Sequence, residues 1–168
     1  MPLTPFDKAI DRLGFTSKLK ACQGYDRRDL MCDGDYQGIV LEDVLIENVY
    51  FDLGGWSESE YRNIKCQNNI WAGSLFYESL FESVTFHDCL FYDITAFMSR
   101  FIECRFEECN FQGCNFNEAV FDRCDFKKVS FTRNNLGGEC TFARAVFQNN
   151  VTTSVIGFPA RFPSSKQS

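Results

Sequence analysis

The sequence has little of what marks an enzyme, an exported protein or a nucleic-acid binder. It contains one histidine, His87, and only four prolines and three methionines in 168 residues. No P-loop, dinucleotide fingerprint or nucleophile elbow occurs, and no set of acid, base and nucleophile can be named. An enzyme with an unrecognised site is therefore the least favoured functional class, and no cofactor or metal is implied. Basic residues are outnumbered, 17 against 23 acids, for a net charge of −6 and a pI near 4.8. That balance lacks the basic footprint of a protein that binds nucleic acid directly. No apolar run approaches the roughly 20 residues of a membrane span. The opening segment MPLTPFDKAIDRLGF mixes acids with bases and has no signal-peptide core. The expected compartment is the cytoplasm, so the nine cysteines, an odd number, are read as reduced thiols. The oligomeric state is not legible.

What the chain does have is phenylalanine, 19 residues of it. The phenylalanines keep time. Every fifth residue from Met31 runs Met31, Tyr36, Leu41, Ile46, Phe51, Trp56, Tyr61, Cys66, Trp71, Phe76, Phe81, Phe86, Phe91, Ala96, Phe101, Phe106, Phe111, Phe116, Phe121, Phe126, Phe131 and Leu136. After a one-residue slip at Gly137-Gly138 the beat resumes at Phe142 and Phe147. On an α-helix five steps turn a side chain about 140° away from its start. On a flat strand an odd step sends successive rings to opposite faces. A chain that turns a corner every five residues buries them all. Two residues before each large side chain stands a small or medium one, among them Ile39, Val44, Val49, Ile64, Val84, Ile94, Ala119 and Val129. Cys89, Cys104, Cys109, Cys114, Cys124 and Cys140 fall on this position, where a free thiol serves as a small buried hydrophobe.

The stretches Cys104-Arg105-Phe106-Glu107-Glu108, Cys109-Asn110-Phe111-Gln112-Gly113, Cys114-Asn115-Phe116-Asn117-Glu118 and Cys124-Asp125-Phe126-Lys127-Lys128 resemble the pentapeptide-repeat family. Its pattern is a small residue, Asp or Asn, Leu or Phe, then two polar residues. The resemblance covers about residues 31–150. Val40, Leu45, Tyr50 and Leu75 depart from the pattern at the Asp/Asn position. It implies an all-β fold, a right-handed quadrilateral β-helix with four pentapeptides per coil and about six coils. At strand spacing between coils the rod would be roughly 29 Å long. Residues twenty apart would then stack: Phe51, Trp71, Phe91, Phe111 and Phe131 on one wall, and Trp56, Phe76, Ala96, Phe116 and Leu136 on the next. Ala96 is the weak point, with Phe97 as its expected compensation through a bulge.

The domain reading is residues 1–30 as an N-terminal cap and connecting segment, 31–150 as the β-helix, and 151–168 as a tail, partly disordered. Thr4-Pro5-Phe6-Asp7 reads as N-cap, Pro at the first helical position and an early acid. A short helix is expected near residues 5–13, with Phe6, Ile10 and Leu13 on its apolar face and Gly14 ending it. Gly54-Gly55 and Gly137-Gly138 read as tight corners or bulges. Residues twenty apart such as Cys104 and Cys124, or Cys89 and Cys109, would stack with side chains too parallel for easy disulfide geometry. Cys104, Cys109 and Cys114, on three successive walls, would point into ring-filled space that has no room for a metal ion.

Function is sought on the outer surface. Residues 31–99 carry 12 acids against Arg62 and Lys65, whereas residues 100–150 carry 7 of each sign. An acidic half-rod attracts a basic partner. Tyr50, Ile70 and Leu90 precede inward aromatics on one wall and are expected to line up outside, joined by Tyr92 and, around the corner, by Leu75 and Tyr77. With Glu42, Asp43, Glu47 and Asp52 they form the candidate partner-binding set, an apolar strip beside acids. The leading reading is a non-catalytic protein-binding module with a role in immunity, resistance or effector action. The alternative is a DNA mimic that protects or inhibits a type II topoisomerase, DNA gyrase or topoisomerase IV. It rests on quinolone-resistance relatives that the resemblance brings in. Against it stand the neutral later coils and a C-terminus without the dimerising helix of those relatives.

Overall fold

The computed structural model describes residues 2–15, 20–21, 29–32 and 34–157. Each pentapeptide supplies three extended residues and then a corner. The corner residue is left-handed, and among the described residues nineteen that are not glycine take a positive φ between 49° and 58°. Asp43, Asn48, Leu53, Glu58, Asn63 and Asn68 show its step of five. An L-residue adopts this conformation at a cost of about 1–2 kcal/mol. The hydrogen bond that each corner amide makes to the next coil offsets that cost, as when Glu58 N–H donates to the Tyr77 carbonyl at 2.7 Å.

The corners fold the chain into a four-sided β-solenoid. The first wall stacks six strands, from Val40–Glu42 through Glu60–Arg62, Leu80–Glu82, Arg100–Ile102 and Val120–Asp122 to Val146–Gln148. The second wall has seven strands and ends at Val151–Thr153. The third has seven and includes Val49–Asp52, Ile70–Ala72 and Leu90–Tyr92. The fourth is a ladder of single bridges, Asp35 to Gly55, Leu75, Thr95, Asn115 and Thr141. Pairing between coils is parallel; the strand Lys20–Ala21 runs antiparallel to Asp29–Cys32.

The register of twenty puts ring on ring. Phe81, Phe101, Phe121 and Phe147 stack at 4.7, 4.7 and 4.8 Å with planes within 8°. Phe86, Phe106 and Phe126 stack at 5.1 and 5.0 Å. These spacings match the ~4.8 Å between neighbouring strands, so the backbone ladder sets the ring spacing. Rings of neighbouring columns meet edge to face, as Phe106 and Phe111 do at 5.7 Å and 66°, the geometry the ring quadrupole favours.

The small position two residues earlier has a second task. Ladder bonds leave two backbone groups per pentapeptide unpaired, the N–H of this residue and the C=O of the ring-bearing one. Ser79 bridges them: its hydroxyl donates to the Trp56 carbonyl at 3.1 Å and accepts from Ser59 N–H at 3.4 Å. Asn69 does the same with its amide, donating to the Ile46 carbonyl at 2.8 Å and accepting from Val49 N–H at 2.9 Å. Asn150 repeats the pattern on Phe121 and Cys124. The thiols of Cys104, Cys109 and Cys124 donate to the carbonyls of Phe81, Phe86 and Phe101 at 3.3–3.4 Å. These cysteines are buried and unpaired, as expected, but they are hydrogen-bond donors as well as filler. Ser59, Ser79, Ser99 and Asn69 occupy the same position without any apolar signal to reveal them.

Several expectations are corrected. Leu136 is no core residue; it is 86% exposed. The apparent slip of one residue is an insertion of six, since partners shift from twenty apart to twenty-six, Asn115 with Thr141 and Phe121 with Phe147. Phe142 takes the place foreseen for Leu136 and stacks on Phe116 at 5.4 Å. Ala96 is fully buried without a bulge, and Phe97 lies outside, stacked on Tyr77 at 5.0 Å. The helix is Phe6–Arg12, and Pro5, not Thr4, precedes it. Thr4–Pro5 instead pairs in parallel with Val44 and Leu45. Ala9 joins Phe6 and Ile10 on the buried face, while Leu13 is exposed. Phe6 meets Phe51 edge to face at 5.5 Å, so the helix covers the first coil as foreseen. Gly14, at φ +82°, follows the helix. Residues 151–157 extend the solenoid, as Val151–Thr153 pairs with Asp125–Lys127 and Ile156 with Ser130. Residues 158–168, and with them most of the expected tail, lie outside the described residues.

Gly54 is not a corner. It stands at the small position, where an added Cβ would lie 2.2 Å from Trp56 Nε1, so its lack of a side chain makes room for the indole. A Cβ on Gly55 would meet nothing closer than 3.6 Å. Gly54→Ala is expected to lower stability by about 1–3 kcal/mol, while Gly55→Ala is neutral or stabilises by up to about 1 kcal/mol. Urea unfolding of the two variants checks this contrast.

Candidate partner-binding surface

Positions flanking each inward ring point outward, and the register stacks them as strictly as it stacks the core. On the third wall Tyr50 pairs with Ile70, Ile70 with Leu90, and Leu90 with Asn110. The expected apolar row therefore exists, is lengthened to four residues by Leu30, which pairs with Tyr50, and gives way to polar side chains at Asn110 and Ser130. Asp52, Ala72 and Tyr92 form the parallel row on the other side of the rings. Around the corner Leu75 is 49% exposed on the fourth wall, and Tyr77 stacks on Phe97 beside it. Sequence reasoning missed Leu53, 63% exposed, and Met98, because both hold the left-handed corner position, where polar residues predominate. Leu53 lies over Gly73, whose Cβ would come within 2.6 Å of it.

Of the ten candidate residues, seven gather on the third and fourth walls: Tyr50, Ile70, Leu90, Tyr92, Leu75, Tyr77 and Asp52. The structure does not bring the other three to them. Glu42 belongs to the first wall, opposite the third. Asp43 turns the corner between first and second walls, where Asn63 Nδ2 donates to its carboxylate at 2.5 Å. Glu47 ends a strand of the second wall.

The inserted segment 133–138 rises at the corner between the third and fourth walls. Asn134 organises it. Its Oδ1 accepts from Leu136 N–H at 3.0 Å and Gly138 N–H at 2.7 Å. Its Nδ2 reaches across Gly113 to donate to Asp93 at 2.6 Å. A Cβ on Gly113 would sit 2.6 Å from that nitrogen. Arg133 pairs with Glu139 across the base of the loop. Asn135 accepts a hydrogen bond from the Tyr92 hydroxyl. The loop therefore meets the end of the neighbouring Asp52–Ala72–Tyr92 row at Tyr92 and carries the exposed Leu136.

The electrostatics of the two halves differ for a structural reason. In the later coils acids and bases alternate along the columns. Arg123 meets Glu103 at 3.0 Å, Lys127 meets Glu107 at 2.6 Å, Lys128 meets Glu108 at 2.7 Å and Arg105 meets Asp125 at 3.3 Å. The hydrogen-bonded Lys127 and Lys128 ammonium groups hold Glu107 and Glu108 below the usual carboxylate range. In the earlier coils Arg62 is held between Glu60 at 2.5 Å and Glu82 at 3.4 Å. Elsewhere neutral amides meet the acids, as Gln37 does Glu58 and Asn63 does Asp43. Fewer acids of this half are thus matched by a base. Among the described residues no three His, Cys, Asp or Glu side chains are grouped to hold a metal ion, and no helix is long and apolar enough to cross a membrane.

The family model for pentapeptide repeats matches residues 99–138 in eight copies. The structure is similar to the crystal structure of the pentapeptide-repeat protein Rfr23 from the cyanobacterium Cyanothece 51142, with 9% identity and a TM-score of 0.50 over 89% of this chain and 97% of that one. It is also similar to full-length QnrB1, a plasmid-mediated fluoroquinolone resistance protein, with 12% identity and a TM-score of 0.46 over 73% of this chain and 92% of that one. No curated protein matches the sequence. At such identities the likeness concerns the fold.

Gly113→Ala tests the loop anchor. The added methyl displaces Asn134, and the amides of Leu136 and Gly138 are expected to lose hydrogen-exchange protection while those of Phe101 and Phe106 keep theirs.

Proposed function

We propose, from the premise that this chain belongs to the pentapeptide-repeat family, that it is a non-catalytic module whose third wall binds a protein partner with a basic surface. The observation that carries this reading is the in-register row Tyr50–Ile70–Leu90 on coils whose acids far outnumber their bases. Desolvating such a row supplies affinity, and the acidic field speeds encounter and favours basic partners. The later coils pair their charges among themselves and contribute a rigid extension. Immunity, resistance or effector action are the settings in which such a binding rod would serve.

Duplex mimicry toward a type II topoisomerase is the second reading, and the charge arrangement supports it less. Glu42, Asp43, Glu47 and Asp52 are spread over three walls and their corners rather than drawn into one groove-like array, and the later coils offer no excess of acid.

The test is capture on immobilised protein. The wild type is expected to retain a basic partner in a salt-sensitive manner. Tyr50→Lys with Leu90→Lys should release it, while Arg105→Ala on the second wall should keep it. Retention by the double variant would exclude the row. A purified protein that alters DNA gyrase supercoiling or its quinolone inhibition would favour the second reading instead.

A further inference from the structure

Six of the described thiols stand in vertical pairs, and the seventh, Cys66, faces Ile46 and Phe86 instead. Cys89 lies beneath Cys109, and Cys104 beneath Cys124, with all four sealed in the wall. The third pair, Cys114 and Cys140, differs. Cys140 stands two residues after the inserted segment and is partly exposed, whereas Cys114 is fully buried. The bridge between Asn115 and Thr141 holds the two cysteines in register on adjacent coils. Their Cα atoms are then about one strand spacing apart, ~4.8 Å, inside the ~4.4–6.8 Å range that a disulfide spans, and the partly exposed Cys140 side chain, unlike those of the sealed pairs, has room to turn out of the parallel stacking that disfavours the bond there. The Cys114 amide donates to Cys140 Sγ at 3.4 Å, and the Cys140 thiol donates to the Phe111 carbonyl at 3.4 Å.

We propose that Cys140 is a hydroperoxide-reactive thiol and Cys114 its resolving partner, so that a small hydroperoxide closes a disulfide between the last two coils. The Cys140 thiolate attacks the O–O bond of the peroxide; an S–O bond forms, the O–O bond breaks, and the departing alkoxide or hydroxide takes a proton from water. The Cys114 thiol then attacks the resulting sulfenic acid. An S–S bond forms, the S–O bond breaks, and the hydroxyl leaves as water with the Cys114 proton. Two thiols lose two electrons and the peroxide gains them. The Cys114 hydrogen bond, working against burial, lowers the Cys140 thiol to about 7, while burial pushes Cys114 well up. That division suits an attacking thiolate and a thiol held in reserve. The cross-link would pin the loop that meets Tyr92, since Glu139, which pairs with Arg133 at the loop's base, immediately precedes Cys140.

The experiment treats the reduced full-length protein with hydrogen peroxide, blocks remaining thiols with iodoacetamide and maps the peptides by mass spectrometry. A linked Cys114–Cys140 peptide, lighter by two hydrogens than the separate thiols, is expected. Cys104, Cys124, Cys89 and Cys109 should stay alkylatable after unfolding. Cys140→Ser should abolish the linked peptide, and Cys114→Ser should leave Cys140 as a sulfenic acid trapped by dimedone. A Cys140 that stays reduced while other thiols oxidise, or that links to any thiol but Cys114, would overturn the proposal.

Discussion

Everything in this molecule depends on the parallel register of twenty residues between successive coils. Once Phe81 is opposite Phe101 and Phe101 opposite Phe121, every other position is also matched with its own kind. Rings fall on rings, bridging side chains on bridging side chains, corners on corners. The ladder spacing is close to the thickness a tilted, offset pair of aromatic rings occupies, so backbone hydrogen bonding and ring packing are satisfied by the same geometry. A solenoid assembled in this way owes its cohesion to contacts between neighbouring coils, and its two ends are where the pattern changes. At the first end the helix Phe6–Arg12 and the short strand Thr4–Pro5 close the core and extend the second wall.

A four-sided tube also has to satisfy backbone groups that no ladder reaches. The residues two before each ring do this, which explains why serine, cysteine and asparagine are accepted in a column that otherwise holds Val, Ile and Ala. A hydroxyl, thiol or carboxamide there passes a hydrogen bond from one coil to the next while still being small enough to sit under a ring. Glycine enters the same column where the ring is too large to share space, as at Gly54 beneath Trp56. Tyr36 and Trp56 fill the first coils in this way and leave Tyr36 Oη and Trp56 Nε1 buried without a protein partner, a cost set against the area these large rings bury.

Much of this was legible in the sequence because the signal is a strict period. The inward ring at every fifth residue, the outward row Tyr50–Ile70–Leu90 and the excess of acid before residue 100 follow from counting. The count failed where chemistry replaced periodicity. Leu136 fits the beat by coincidence, since an insertion of six residues preserves the phase to within one, and only the contact between Phe142 and Phe116 reveals where the core resumes. Ser59, Ser79 and Asn69 were silent because polarity at a core position gives no apolar signal. Glu42, Asp43 and Glu47 seemed to belong with Tyr50 because they are near in sequence, yet two corners separate Glu42 from that wall. Thr4 looked like a helix cap because its side chain suits one; the edge of the second wall competed for its backbone and prevailed.

The account makes position within the pentapeptide, rather than place along the chain, the determinant of what a residue does. Two adjacent residues of one strand, Arg105 and Phe106, test this most directly, since Arg105 pairs outside with Asp125 and Phe106 is buried between Phe86 and Phe126. Equilibrium unfolding in urea should give a loss of about 3–5 kcal/mol for Phe106→Ala and less than about 1 kcal/mol for Arg105→Ala. Similar losses for the two, or a larger one for Arg105→Ala, would contradict a tube held from within by its stacked rings.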